Sequence, residues 1–409
     1  MASFSIALSG LQADTVALNT IGNNLANLNT TAFKKQGTTF EDLFYQQMGV
    51  SGSGNPLQVG VGTRVSGTTT NFLQGTILPT GDSRDMALSG DGFFVTQQGG
   101  VQSLTRAGNF QLNQQGNLIT VDGGSVMGYP VKNGAVDTNS SLVPLTLPIG
   151  VTQAAQATGN IAVTANLNAG ATVGTAFTTP VTVYDSLGQS HAVTVTYTKT
   201  AANTWDYSVD LQAGDATGAP LNNTGTLSFD SSGNLVSPAG GITGVTFPGM
   251  ANGSSDMTFS VSLFDGNGNS TLTQSTAAST NTATVQDGFA SGTYQSFSVD
   301  GDGVITAAYS NGHKSVVGQV AVARVTNPNG LTMIGHNSYT TTNASGDAIF
   351  GTPGTGGRAS IEDSALEQSN VDISAEFADL IVAQRSFEAN SKTVTAFDSV
   401  TQATLGMIR

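Results

Sequence analysis

Residues 4–28 read FSIALSGLQADTVALNTIGNNLANL, and apolar side chains recur in this stretch every seven positions. Phe4, Leu11, Leu18 and Leu25 stand in one register and Ala7, Ile21 and Leu28 in the other, which only Asp14 interrupts. Sustained sevens are the seam of a coiled coil, so the stretch predicts a helix of roughly 37 Å, capped at Ser3 or Ser5 and closed by the polar cluster 27–31. Gly10 inside it costs about 1 kcal/mol relative to Ala. The other end of the chain repeats the pattern: Leu366, Ile373, Leu380, Phe387 and Val394 lie seven apart, supported by Phe377, Ile381, Leu405 and Ile408. Ser369, Asn370 and Asp372 mark its start, and the span from Asp372 to Ile408 predicts a helix of about 55 Å. Each helix carries a stripe that must be buried, and the economical partner is the other helix.

Between the helices the period changes from 3.5 to 2. Short alternating runs at 92–97, 116–121, 181–184, 192–197, 226–229, 304–309 and 319–325 are separated by Asp-Gly, Asn-Gly and Gly-Asn turns, the pattern of antiparallel sheet. The Gly-rich stretch 50–64 reads as an extended connector, and 351–357 as its returning counterpart. The expected fold is therefore mainly β with long terminal α-helices. A paired helical layer (1–30 plus 366–409) leads through an extended connector (31–70 plus 351–365) to an inner β domain (71–149 plus 286–350), into which an outer β domain (150–285) is inserted.

Composition narrows the function. Only 10% of the 409 residues are charged and the net charge is −14, with Lys199 the one Lys or Arg between Lys132 and Lys314. Nucleic acid and anionic membranes demand a basic face, so neither is expected as a partner. There is no cysteine, hence no disulfide or thiolate site. No Lys or Arg precedes Lys34 and no run reaches the ~20 apolar residues of a membrane span, so neither a cleavable signal nor a spanning helix is expected.

No catalytic, cofactor or metal site emerges. Asp265-Gly-Asn-Gly-Asn269 opens like a calcium loop, but its sixth position is Ser270 and its twelfth Thr276, so it reads as a polar turn; Asp300-Gly-Asp-Gly303 reads as a hairpin turn. The segment 351–357 lacks the lysine of a phosphate loop. His191, His313 and His336 lie in separate segments; His191 is expected at a strand edge and Trp205 in a core.

Specific blocks then name a family. Ser9-Gly-Leu-Gln-Ala13, Leu18-Asn-Thr-Ile-Gly-Asn-Asn-Leu-Ala-Asn-Leu-Asn-Thr30 (with Asn23, Asn24, Asn27 and Asn29) and Phe33-Lys34 resemble the start of the flagellar rod, hook and hook-associated axial proteins. Leu366-Glu-Gln-Ser-Asn-Val-Asp372, Ile381-Val-Ala-Gln-Arg385 (with Gln384) and Phe387-Glu-Ala-Asn-Ser-Lys392 (with Asn390) resemble the matching end. Internal blocks 90–94, 105–110 and 327–331 are similar to the same family. Tyr184, Asp185, Gly188 and His191 in the 183–191 segment resemble a signature of the hook-type outer domain. One departure is Ala32, where hook-type sequences usually carry Gly; if φ is positive there, Ala is strained by about 1 kcal/mol.

The resemblance implies a non-enzymatic, cofactor-free extracellular subunit of the flagellar hook, exported by the flagellar apparatus and assembled as a homo-oligomeric tube. It also implies contacts with a distal rod protein, a hook cap protein and a hook-filament junction protein. Phe4, Leu11, Leu18, Ile21, Leu25, Leu28, Ile373, Phe377, Leu380, Phe387, Val394 and Leu405 are the expected subunit-packing residues. Two alternatives stand beside this reading: a distal-rod or other basal-body axial protein, and a secreted β-rich adhesin or carbohydrate-active protein.

Overall fold

The structure, a computed structural model, describes residues 2–51 and 55–407; Ile408 and Arg409, expected in the last helix, fall outside the described residues. It divides into two compact units, one comprising Met1–Ile149, Phe297–Ala307 and Ser315–Arg409, the other Gly150–Ser296 and Ala308–Lys314. Residues 286–296 and 308–314, expected in the inner β domain, thus belong with the inserted one.

In the first unit, helix α1 (Ala2–Ala26) runs through both Ser3 and Ser5, so neither caps it. Helix α2 (Ile373–Met407) begins on Asp372, whose Oδ1 accepts the backbone N–H groups of Ser374 at 2.8 Å and Ala375 at 3.1 Å. Leu366, read from its spacing as helical, is instead in a strand, Ala365–Glu367, paired with Ile77–Pro79. Likewise Ser360–Asp363 pairs with Met86–Ser89. The returning connector is therefore largely ladder, with a turn at 352–357 pinned by the Arg358 Nε donating to Thr352 O at 3.1 Å and a left-handed turn residue, Ser364, between the two strands.

The outgoing connector is also folded. Gln36–Asp42 pairs with Thr63–Thr70 through a bulge at Thr39 and Phe40, and Tyr45–Val50 pairs with Pro56–Gly60. Glycine-rich composition suggested flexibility, but antiparallel Thr and Gln pairs satisfy the backbone here without needing an apolar face. The remaining strands of this unit enclose a core of Phe93, Val95, Leu104, Met127, Ala321 and Tyr339, where the rings of Phe72, Phe93 and Tyr339 meet edge-on or tilted with centroids 5.5–5.8 Å apart.

Ala32 is buried and left-handed, with φ 56°, and its N–H donates to Glu367 O at 2.8 Å. The turn is the glycine conformation with a methyl added, so the anticipated strain is present. Replacing Ala32 with Gly relieves about 1–2 kcal/mol of it but forfeits backbone rigidity and a buried methyl, so thermal unfolding should shift by under about 1 kcal/mol. Ala32→Val, branched at a left-handed position, should destabilise by about 2–3 kcal/mol in the same measurement.

Most of the second unit is a sandwich of two five-stranded sheets. One is an antiparallel meander of Ala176–Tyr184, Ser190–Ala201, Thr204–Leu211, Thr224–Phe229 and Leu235–Ser237. In the other, Asn160–Asn168 alternates between buried side chains and exposed or half-buried ones and pairs antiparallel with Thr280–Gln286. On its opposite edge, however, it pairs parallel with Met257–Ser262 and Leu272–Ser275, so the expectation of purely antiparallel sheet fails there. The whole meander is the crossover that a parallel pair requires. Ile161, Leu167, Tyr197, Trp205, Leu227 and Phe259 fill the space between the sheets. Trp205 is in the core as expected, its Nε1 donating to Gln274 Oε1 at 2.8 Å.

One turn recurs across both units. In the segments beginning at Asn113, Asp185, Asp230, Asp265 and Asp300, side-chain Oδ1 accepts the N–H groups two and four residues on, at 2.7–3.1 Å. The glycine three residues on has φ 77–84°, a conformation L side chains avoid. The calcium-loop look-alike at Asp265 is such a turn, with its second oxygen accepting Asn269 Nδ2 at 2.9 Å.

Candidate assembly surface

The two helices pack antiparallel, but not through their apolar sevens. At one end of the seam Asn24 Nδ2 donates to Glu376 Oε2 at 3.2 Å, and at the other Asn390 Nδ2 donates to Asp14 Oδ2 at 2.8 Å. Gly10 lies so close to Asn390 that an added Cβ would meet its amide at 2.7 Å. The buried helical positions are small or polar: Ala7, Gly10, Ala13, Thr20 and Asn24 on α1, Glu376 and Ala383 on α2. Asp14, read as a break in the seam, is part of it. A second set of sevens, Glu376, Ala383 and Asn390 against Gly10, Ala17 and Asn24, sets this register; with small side chains it lets the helices approach closely.

None of the expected packing residues is among the buried positions of the helices. Phe4, Ile373, Phe377, Phe387 and Leu405 are exposed, Phe4 at 46% and Phe377 at 51%. Leu11, Leu18, Ile21, Leu25, Leu28, Leu380 and Val394 are half-buried. Ile381, Val382, Val400 and Met407 add to the exposed set. Large apolar side chains are thus left exposed along the length of α2 and at the start of α1, where burial against a partner would be favourable. Beside it, the first hairpin strand and both helices enclose a cavity of about 400 Å³ that Ile21, Phe40 and Val382 line.

The family-motif residues divide sharply by role. Asn24 bridges α1 to the first hairpin as well, its amide exchanging hydrogen bonds with Gln36 O at 2.8 Å and Gln36 N at 3.0 Å. Lys35 pairs with Glu376 at 2.5 Å, and Phe33 is buried. Asn27 closes the helix end on Asn23 at 2.9 Å, whereas Asn23, Asn29, Gln384 and Arg385 are not buried; Arg385 only reaches Glu388 at 3.2 Å. Tyr184 is half-buried, and Gly188 sits where a Cβ would strike Ala155 at 2.7 Å.

Three of the motif blocks converge on a node that residue-by-residue reading missed. Glu367 Oε1 accepts from Lys34 Nζ at 2.6 Å, and its Oε2 accepts from Arg106 Nε at 2.9 Å. Lys34 and Glu367 side chains are wholly buried and Arg106 nearly so. Gly75 N–H adds a donor to Glu367 at 2.8 Å, Lys34 also donates to Leu73 O at 2.9 Å, and Arg106 reaches the carbonyls of Leu88, Gly90 and Gly92. Burial and the neighbouring Arg106 charge push the Lys34 pKa down, against the pull of Glu367. The node ties the residues just after α1 to those just before α2. Its sequence signal was a cation or carboxylate inside each motif of a chain poor in both.

His191 is not at an open strand edge: it is 4% exposed, held between Asp185 at 3.0 Å and Asp215 at 2.9 Å.

Family models match along most of the chain. They describe a flagella basal body rod protein (residues 4–34), the flagellar hook protein FlgE/F/G D1 domain (87–167), the flagellar basal body protein FlaE D2 domain (156–289) and the flagellar basal body rod FlgEFG protein C-terminal (362–407). Paired terminal helices around nested β units are thus those of a flagellar axial protein. The flagellar hook protein FlgE of Salmonella typhimurium is 35% identical, covering 97% of this chain and 98% of its own. That of Treponema pallidum is 32% identical over 100% of both. The crystal structure of Helicobacter pylori flagellar hook protein FlgE2 shares the fold with a TM-score of 0.56 at 16% identity, over 71% of this chain and 100% of that one. The chain belongs to the flagellar hook protein family.

Proposed function

We propose that this chain is a structural subunit that self-assembles into the curved extracellular tube of the flagellar hook, with α1 and α2 forming its inner wall. The single observation that carries the reading is the outward apolar stripe, exposed because the chain's own helices meet through small and polar side chains. Neighbouring copies are the partner that buries it, and burial there is worth about 1.5–3 kcal/mol per large side chain. The second unit offers Ser, Thr, Asn and Gln faces with few charges, so its contacts with neighbours are weak and exchangeable as the tube rotates under load. In the same reading, a distal rod protein meets one end, a hook cap and a junction protein the other, and the flagellar export apparatus delivers the chain.

Deletion tests the division of labour. Chains lacking residues 1–30 or 370–409 should fail to polymerise, whereas a chain lacking 150–285 should form tubes of altered curvature in electron micrographs. Polymerisation at the normal rate without either helix, or unchanged curvature without the insert, contradicts the proposal.

A further inference from the structure

We propose that His191 is a proton-held clasp at one end of the second unit's sandwich, its doubly protonated ring tying Asp185 to Asp215 so that loss of one proton frees the 212–217 loop. Nε2 lies 3.0 Å from Asp185 Oδ2 and Nδ1 lies 2.9 Å from Asp215 Oδ2. A neutral imidazole has one N–H and one lone pair, so it can satisfy only one of these carboxylates and must turn its lone pair on the other. Two carboxylate contacts therefore define an imidazolium. Asp185 and Asp215 are the charged groups that face the ring; Asn252 and Gln189, the polar neighbours of Asp185, are neutral.

The two carboxylates are not equivalent. Asp185 also accepts from Asn252 Nδ2 and from the N–H groups of Leu187 and Gln189, both at 2.9 Å, and its side chain is fully buried. Asp215 is 28% exposed, and among the described residues His191 is the donor to its carboxylate. When the ring gives up a proton, the remaining N–H stays on the buried Asp185, and Asp215 turns to water. Asp215 sits in the loop after strand Thr204–Leu211, its N–H donating to Gln212 O at 3.1 Å and its carbonyl accepting from Ala251 N at 2.8 Å. Releasing its side chain therefore loosens both this loop and the 249–251 segment it pairs with.

The direction of the pH effect follows. Burial alone lowers the His191 pKa, but the hydrogen bonds that its ring donates to Asp215 and Asp185, together with their charges, outweigh it and raise the value above the ordinary one. A raised pKa means the clasp is fully closed below about pH 6.5 and opens as pH rises through the folded-state value. At the acid end, burial opposes ionisation of Asp185, yet Asn252, His191 and the backbone N–H groups hold it well below the usual carboxylate range. That part of the clasp is lost only in strong acid.

The test uses the full-length subunit in solution. Side-chain NMR follows His191 with His313 and His336 as internal references, while amide exchange, corrected for its intrinsic pH dependence, follows Asp215, Thr217 and Ala251. The expected result is two ring N–H signals at pH 6 and loop protection that falls about tenfold for each unit by which the folded pKa exceeds 6.5 as pH rises. Asp215→Asn, at a half-exposed site, should keep the fold, lower the His191 pKa and flatten the loop's pH dependence. A single ring N–H at pH 6, or loop protection constant from pH 5 to 9, overturns the clasp.

Discussion

Glu367→Gln should destabilise the first unit by about 3–5 kcal/mol, because it leaves two buried cations with no counter-charge. The substitution preserves size and shape, so packing loss does not account for the effect. Lys34 and Arg106 remain where burial excludes water, and the amide cannot accept from both of them as a carboxylate does. Lys34, with its pKa already lowered, can shed its proton and soften the penalty; Arg106 cannot. Denaturant unfolding of the full-length subunit, followed by a probe in the first unit, measures the change. A loss under about 1 kcal/mol would show that the node is dispensable. Because Glu367 precedes α2 and Lys34 follows α1, the variant should also raise amide exchange at Asn24 and Asn370, which bind Gln36 and Lys35 beside it.

Phe377→Asp should do the opposite: leave the lone subunit nearly untouched and stop it polymerising. Phe377 is half out in solvent, and an acidic residue in the first turns of α2 suits the helix dipole, so subunit stability should change by no more than about 0.5 kcal/mol. In the tube, each copy would bury a charge where it had buried an aromatic ring. The combined loss should raise the critical concentration at least about a hundredfold, as measured by sedimentation of polymer. Phe387→Asp, 38% exposed on the same helix, should act the same way. Asn390→Ala, by contrast, breaks the intrachain seam and should act on the subunit itself.

These two variants separate what was legible in the sequence from what was not. Both terminal helices could be read from their sevens, because a long amphipathic period has no β counterpart. Their pairing face could not. The eye follows Leu and Phe, but the register was written in Gly10, Asn24, Glu376, Ala383 and Asn390, residues that look like neutral filler. The connectors were misread for a related reason: Thr63–Thr70 has no apolar alternation, and its pairing rests on backbone hydrogen bonds that composition does not display. The parallel pairing of Asn160–Asn168 depends on partners about a hundred residues away, beyond any local window. The hook-type motif at 183–191 was recognised, but its physical role lay partly in Asp215 and Asn252, which the motif does not contain.

The central claim is that this chain's outward apolar stripe is buried by other copies of itself. A side-chain-resolution helical reconstruction of the assembled polymer tests it most directly. The account predicts that Phe4, Ile373, Phe377 and Phe387 are covered by helices of neighbouring subunits while Asn390 still meets Asp14 within one chain. Finding those side chains facing an open lumen, or finding the Asp14–Asn390 seam exchanged between copies, would contradict it.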